Sequence, residues 1–253
     1  MSDVAPEPAR TPRSILAVDV GGTGLKVLAT GQSEPRRRDS GPLMTPQEMV
    51  ELVREMASDW QYDAVSIGYP GQVGDHGPRS EPGNLGAGWV GFNFAAAFDR
   101  PVRIVNDAAM QALGSYDGGR MLFLGLGTGL GSAMIAENVI VPLELGELPY
   151  RRRRLGEVLG RDGLERVGKK KWRQVIDRVV PLLMAATLAD YVVIGGGNAK
   201  RIKNPPGGAR LSNNLTAFRG GFRLWHLEDV RTLQGDENEK PPEPPRPSEW
   251  RLI

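Results

Sequence analysis

Two glycine-rich turns and a few carboxylates are the residues whose types and spacing suggest chemistry. An apolar run at 15–18 leads into Asp19-Val20-Gly21-Gly22-Thr23-Gly24-Leu25-Lys26. Gly21 and Gly22 free the backbone to take positive φ, so that their N–H groups and that of Thr23 can point at an anion. Asp19 stands where a carboxylate could hold hydrated Mg²⁺ against phosphates, with Lys26 nearby. The stretch also reads as a hairpin in which the glycines only reverse the chain, because 25–29 has strand character. Leu126-Gly127-Thr128-Gly129-Leu130-Gly131 repeats the pattern between apolar runs at 121–125 and 132–136. A repeated strand, glycine turn and strand points to two related lobes whose turns face one phosphate from opposite sides. A third turn, Gly195-Gly196-Gly197-Asn198, ends the apolar run 191–194 and could admit a nucleoside or polyanion closely.

The carboxylates fall at strand ends and in loops. Asn106-Asp107 follows a short strand at 102–105 and precedes a helical run at 108–116, and in α/β folds ligands bind beyond the carboxyl ends of strands. Asp107 can accept a proton from an attacking hydroxyl, or it can cap the helix after it. Glu144-Leu145-Gly146-Glu147 places two carboxylates in a short loop. The long glycine-rich loop 72–89 and the residues just after it carry Asn84, Trp89 and Asn93, polar and aromatic groups suited to a sugar, although loop asparagines are also common turn formers.

The elements that must position these groups can be read around them. Residues 1–14 read as a flexible arm and 32–41 as a charged connection. Thr45-Pro46-Gln47-Glu48 is a helix start, with Thr as N-cap, Pro at the first helical position and Glu three residues on; Met49, Val50, Val53, Met56 and Ala57 then share one apolar face. Residues 64–68 form a strand. Residues 172–189 have helical spacing with an expected kink at Pro181. The division that follows is an arm at 1–14, lobes at 15–112 and 113–225, and a disordered tail at 226–253, which carries five prolines and seven acidic residues against four basic ones.

Composition removes many alternatives. The 253 residues are 40% hydrophobic, enough for a sizeable core. With no cysteine and two histidines, disulfides, thiolate metal sites and most histidine-based chemistries are excluded. No apolar run approaches membrane-spanning length, and the N-terminus lacks a basic segment followed by an apolar core, so a cytoplasmic protein without membrane partners is expected. The net charge of +2 hides a segment, 151–173, with ten Lys or Arg against three acidic residues. This +7 block is either a solvated helix face or a site that concentrates a polyanion.

These motifs, in this order, resemble the ROK sugar kinases (Repressor, ORF, Kinase), and most nearly their polyphosphate glucokinase branch. The resemblance covers residues 15–225 and rests on Asp19-Val20-Gly21-Gly22-Thr23, Pro70-Gly71 with Asn84-Leu85 and Trp89, Asn106-Asp107-Ala108, the turn 126–131, and Gly195-Gly196-Gly197. It implies an α/β, two-lobed actin-like ATPase (ribonuclease H-like) fold with mixed sheets and helices and the active site in the cleft. It further implies transfer of a terminal phosphate from ATP or polyphosphate to a hexose, with Asp107 as general base, Asn84, Asn106, Glu144 and Glu147 on the sugar, and Asp19 on Mg²⁺. Gly21, Gly22, Thr23, Lys26, Gly127, Thr128, Gly129 and Gly131 would line the phosphates, and Gly195, Gly196 and Gly197 the nucleotide or polyphosphate. The family's habit is a homodimer. Where the family has Glu-x-Gly-His, this chain has Glu144-Leu145-Gly146-Glu147, and a carboxylate that only accepts hydrogen bonds replaces a histidine that can also donate. That departure motivates a rival reading as a sugar or phosphosugar sensor without turnover, and the basic block and tail motivate a partner-binding scaffold. No DNA-binding helix-turn-helix precedes residue 15, which argues against nucleic acid as a partner.

Overall fold

The computed structural model describes residues 12–213, 215–225 and 231–232. Its first sheet is built from β1 (Ile15–Gly21), β2 (Gly24–Ala29), β3 (Arg36–Arg38), β4 (Ala64–Tyr69) and β7 (Val102–Asn106), in the order β3-β2-β1-β4-β7. Between β4 and β7 lies a small separate hairpin, β5 (Val73–Gly74) with β6 (Gly77–Pro78). The second sheet runs β14-β13-β8-β9-β10-β15. Its strands are β8 (Met121–Leu126), β9 (Leu130–Ala136), β10 (Val139–Leu143), β13 (Tyr191–Gly195), β14 (Ala209–Leu211) and β15 (Arg231–Thr232). A two-stranded ribbon, β11 (Pro149–Tyr150) with β12 (Arg153–Arg154), stands apart. Both sheets mix parallel and antiparallel pairs: β1 is antiparallel to β2 and parallel to β4, and β8 is antiparallel to β9 and parallel to β13. The expected α/β fold with mixed sheets is present.

Alternation along β1 and β4 assigns the faces of the first sheet. Leu16, Val18, Val20, Val65, Ile67 and Tyr69 enter one buried cluster with Met49, Val50 and Val53 of α1 (Pro46–Met56). The Thr45 cap forms as expected: its Oγ1 accepts from Glu48 N–H at 3.3 Å, and Glu48 Oε2 accepts from Thr45 N–H at 2.8 Å, an arrangement worth about 1 kcal/mol. The opposite face presents Ala17, Ser66 and Gly68, small residues that let helices approach. There lie α3 (Asp107–Ser115) and α6 (Thr216–Arg223).

The helices α3 and α6 join the lobes. They cross at near backbone contact: a Cβ on Gly114 would lie 1.7 Å from Thr216 O, and one on Gly220 would lie 1.7 Å from Met110 O. Ser66 Oγ donates to Gly221 O at 2.6 Å, and Trp225 Nε1 donates to Ser66 Oγ at 2.9 Å. The far side of α3 packs in a second cluster with Met121, Phe123, Ala133 and Ile135 of the second sheet. A division at 112/113 is therefore too simple, because α6, late in the sequence, packs on the first sheet.

Several boundaries move. The connection 32–41 contains β3, which pairs with β2. Arg13 and Ser14, assigned to the arm, are fastened by their N–H groups to Asp63 Oδ2 at 3.2 and 3.0 Å; residues 1–11 lie outside the described residues, as does most of the tail, although β15 pairs with β10. The basic block is not one helix face. It spans the β11–β12 ribbon, α4 (Leu155–Leu159) and the first half of α5 (Arg161–Ala186). The expected kink at Pro181 is absent as a break in dihedral angles; the backbone instead leaves helical geometry at Gly168, with φ 73° and ψ 160°. Glycine alone adopts that φ cheaply, so the break falls there.

Candidate active site

The first turn is a two-residue hairpin loop, Gly22-Thr23, closed by the pair Gly21–Gly24. Contrary to the sequence expectation, neither Gly21 nor Gly22 has positive φ. Space explains Gly22 instead. A Cβ there would lie 2.0 Å from Asn84 Nδ2, so the long loop carrying Asn84 docks on the turn. Ser40 Oγ holds the turn from the other side, donating to Gly21 O at 2.8 Å.

Period-two geometry puts Asp19 on the same face as Ala17, the face on which α6 and α3 lie. Directly opposite Asp19 on β2 is Lys26, whose Nζ donates to Asp19 Oδ2 at 2.8 Å. Opposite Lys26 on β3 is Arg37, whose guanidinium lies over Gly24. The neighbours Arg36 and Arg38 point to the other face, towards Asp59 and Glu55. Arg37 therefore extends the charged row beside the first turn. The alternation within Arg36-Arg37-Arg38 was the signal for it, hidden while this segment was read as a connection.

At the end of β7 the two roles weighed for Asp107 separate. Asn106 is the N-cap: its Oδ1 accepts from the N–H groups of Ala108 and Ala109, at 2.9 and 3.2 Å. Its Nδ2 donates to Gly71 O at 3.0 Å, leaving one N–H for a ligand. Asp107 is the first residue of α3, with Oδ1 accepting from its neighbour Ala108 N–H at 2.7 Å. Gly68, at the end of β4, lies beneath it, since a Cβ there would be 3.5 Å from Asp107 Cα and 2.4 Å from Met110 Cε. Gly131, where β9 begins, meets Ala108: a Cβ there would be 3.1 Å from the Ala108 Cβ. The start of α3 is thus wedged between the strand ends of both lobes.

Electrostatics single out Asp107. Desolvation, then the neighbouring charge of Asp19, then that of Glu144 push its carboxyl up to about 7, against the opposing hydrogen bond from Ala108. Glu144 is itself raised, by desolvation and then by Glu147. Asp107, Asp19 and Glu144 therefore sense one another, and the structure brings together the groups that the sequence placed apart.

The second and third turns form one unit. Gly127 O accepts from Arg161 N–H at 3.1 Å and from Asn198 Nδ2 at 2.9 Å, and Asn198 N–H donates to Leu126 O at 2.9 Å. Gly196, at φ 81°, leaves no room for a side chain, because its Cβ would fall 2.6 Å from Leu126 O. Gly127, Gly129 and Gly197 face open space, and Thr128 O accepts from Arg161 N–H at 3.1 Å.

Two expected sugar contacts are corrected. Trp89 is fully buried, tilted against Tyr69 and Phe94 with ring centroids 5.4 and 6.2 Å apart, and belongs to the core. Asn93 caps α2 (Phe94–Phe98), its Oδ1 accepting from Ala96 N–H at 3.0 Å. Asn84, exposed beside the first turn, stays available. Glu144 caps a 3-10 turn, Leu145–Glu147, and Glu147 is its last residue. Glu147 is held by Arg154, Nη1 to Oε2, at 2.5 Å, a partner that sequence reasoning placed only within the basic block.

The fold, two mixed sheets joined through α3 and α6, is the two-lobed architecture of actin-like proteins. Solved structures agree: a polyphosphate/ATP-glucomannokinase from Arthrobacter matches with a TM-score of 0.72 over 86% of this chain and 99% of that one, at 22% identity. A ROK family glucokinase from Streptomyces griseus, solved with glucose and AMPPNP, matches with a TM-score of 0.66 over 83% and 98%, at 15% identity. In sequence, a polyphosphate glucokinase of Mycobacterium tuberculosis is 28% identical over 239 residues, covering 79% of this chain and 86% of that protein. One from Mycobacterium leprae is 26% identical over 217 residues, covering 73% and 63%. No family model matches the chain. The chain is thus similar in sequence to polyphosphate glucokinases and in fold to a ROK family glucokinase.

Proposed function

We propose that this chain transfers a terminal phosphate from ATP or polyphosphate to a hydroxyl of a hexose such as glucose. The observation that carries the reading is the position and state of Asp107, a carboxyl at the start of α3 pushed up to about 7 by desolvation and by Asp19. A sugar hydroxyl is a poor nucleophile, and a base whose pKa lies near the working pH is best matched to take its proton as the phosphoryl group arrives. Asn84, the remaining Asn106 N–H, Glu144 and Glu147 orient the sugar around that base. The N–H groups of Gly21, Gly22 and Thr23, with Lys26 and Arg37, face the phosphates from one lobe. Gly127, Thr128, Gly129 and Gly131 face them from the other, and Gly195, Gly196 and Gly197 border the rest of the donor.

Among the described residues no three His, Cys, Asp or Glu side chains converge to cage a metal. Asp19, 13% exposed with only Oδ2 on Lys26, fits Mg²⁺ in its usual manner, with phosphate oxygens and water completing the shell. When bound, the ion would neutralise charge building on the transferred phosphate.

The exposed Arg151, Arg152, Arg153, Lys169, Lys170 and Lys171 support polyphosphate as a donor, held through counterion release as nucleic acid backbones are. The relatives named polyphosphate glucokinase favour the same donor. No helix among the described residues is long and apolar enough to cross a membrane; a cytoplasmic homodimer belongs to the proposal and is checked by light scattering and fractionation. The deciding experiment is a matrix of hexoses against ATP, GTP and polyphosphate with Mg²⁺, read as sugar phosphate formed. At least one hexose should be phosphorylated, with polyphosphate use falling more steeply with salt than ATP use. Binding of hexose and donor without any product would defeat the proposal.

A further inference from the structure

Glu147 does not stand alone: the structure shows the groups that hold it. The 3-10 turn closes with Glu147 N–H donating to Glu144 O at 3.0 Å. That bond holds the backbone of Glu144, which caps the turn, against that of Glu147, which ends it. The turn is clamped. Leu145 N–H donates to Ser132 Oγ at 3.0 Å, Ser132 Oγ donates to Leu143 O at 2.7 Å, and a Cβ on Gly146 would lie 2.9 Å from Leu130 O, beside the second glycine turn. Glu144 lies near enough for its charge to raise Asp107, and Glu147 near enough to raise Glu144, which orders the three carboxylates in a row.

The cation at the outer end of this row is Arg154, 2.5 Å from Glu147 Oε2. Its own backbone is fixed, because Arg154 N–H donates to Glu157 Oε2 at 2.8 Å at the start of α4, and the residue pairs with Pro149 across the ribbon. Both side chains of the pair are 64% exposed, and so open an ion pair contributes little to stability. Folding does not require it.

We infer that Arg154 is a positioning residue for the sugar: it fixes Glu147 with Oε2 engaged and Oε1 left to accept from a substrate hydroxyl, so that the pair helps set which hexose epimer is taken. The inference rests on the sugar-kinase reading and names side chains that carry specificity within it. An ionised glutamate only accepts and a guanidinium only donates, so the pair together offers what a neutral imidazole offers in one ring. A sugar whose hydroxyl is inverted leaves the carboxylate unmatched, and sites built to hydrogen-bond a hydroxyl reject analogues lacking it strongly.

The test uses the full chain and its Arg154→Ala, Arg154→Lys, Glu147→Gln and Glu147→Gln/Arg154→Ala variants. Calorimetry reads hexose Kd, and steady-state kinetics read kcat with separate KM values for sugar and donor. Arg154→Ala should weaken sugar Kd and KM by about tenfold while kcat and donor KM stay within about twofold. Arg154→Lys should recover part of the loss, and the double variant should be no weaker than Arg154→Ala alone. Melting temperatures should not move. An unchanged sugar Kd in Arg154→Ala overturns the inference, as does a rise in donor KM alone, which would place Arg154 in the polyanion track. An unaltered chain that binds hexose without turnover defeats the kinase reading and leaves calorimetry to decide on Arg154; one that binds no hexose overturns both.

Discussion

Asp107→Asn should stabilise the protein above neutral pH. In the folded chain the Asp107 carboxyl is raised from 3.8 to about 7, so the native state holds the proton more tightly than the unfolded chain does. Its contribution is therefore fully present below about pH 4 and is lost as pH rises through about 7. A rise of roughly three units corresponds to about 4 kcal/mol at 1.36 kcal/mol per unit. Asp107 is only part-buried, and water in the cleft recovers some of this, so about 1–3 kcal/mol remains at pH 8. Asparagine keeps the shape and never ionises. For a folded region of this size that difference shifts Tm by about 3–10 °C. Thermal melts of both proteins at pH 4.5 and pH 8 read it directly: the variant should melt near the unaltered protein at the lower pH and clearly above it at the higher. Equal differences at both pH values would refute the claim that desolvation, Asp19 and Glu144 raise this carboxyl.

Gly220→Ala places a methyl 1.7 Å from Met110 O and should cost about 3 kcal/mol or more by forcing α3 and α6 apart, read as a lowered denaturation midpoint. Gly22→Ala drives a methyl into Asn84 and should raise sugar KM severalfold, whereas Gly127→Ala, which meets open space, should leave the melting temperature within about 1 °C. Trp89→Phe should leave sugar affinity unchanged, since the ring is buried in the core and its Nε1 has no hydrogen-bond partner; isothermal titration with the preferred hexose checks this.

What the sequence disclosed was local. The Thr45 capping box, the strand ends that deliver Asp107, and both glycine turns are encoded within a few residues of themselves, and they appear where expected. Of the two readings of residues 19–26 the hairpin is the one the backbone displays, with Asp19 and Lys26 paired on one face of it. What stayed hidden depends on residues far apart. Nothing near 216–223 indicates that α6 returns to the first sheet; that requires Ala17, Ser66, Gly114 and Gly220 to be small at one crossing. Trp89 and Asn93 have the types of sugar contacts, but the loop's path turns one into the core and spends the other on a cap. Arg154 was indistinguishable from its basic neighbours until the ribbon set it against Glu147. Pro181 is accommodated within α5, while Gly168 breaks it at a φ that only glycine takes readily.

The most direct test of the account is the pH dependence of sugar phosphate formation, measured for the unaltered protein and Asp107→Asn with the preferred hexose and donor. The rate of the unaltered protein should fall as pH drops below about 7, as the base becomes protonated, and the variant should be at least about a hundredfold slower at pH 8, with the gap narrowing towards pH 5. Product formed at an undiminished rate by Asp107→Asn, or a rate indifferent to pH between 5 and 8, would contradict it.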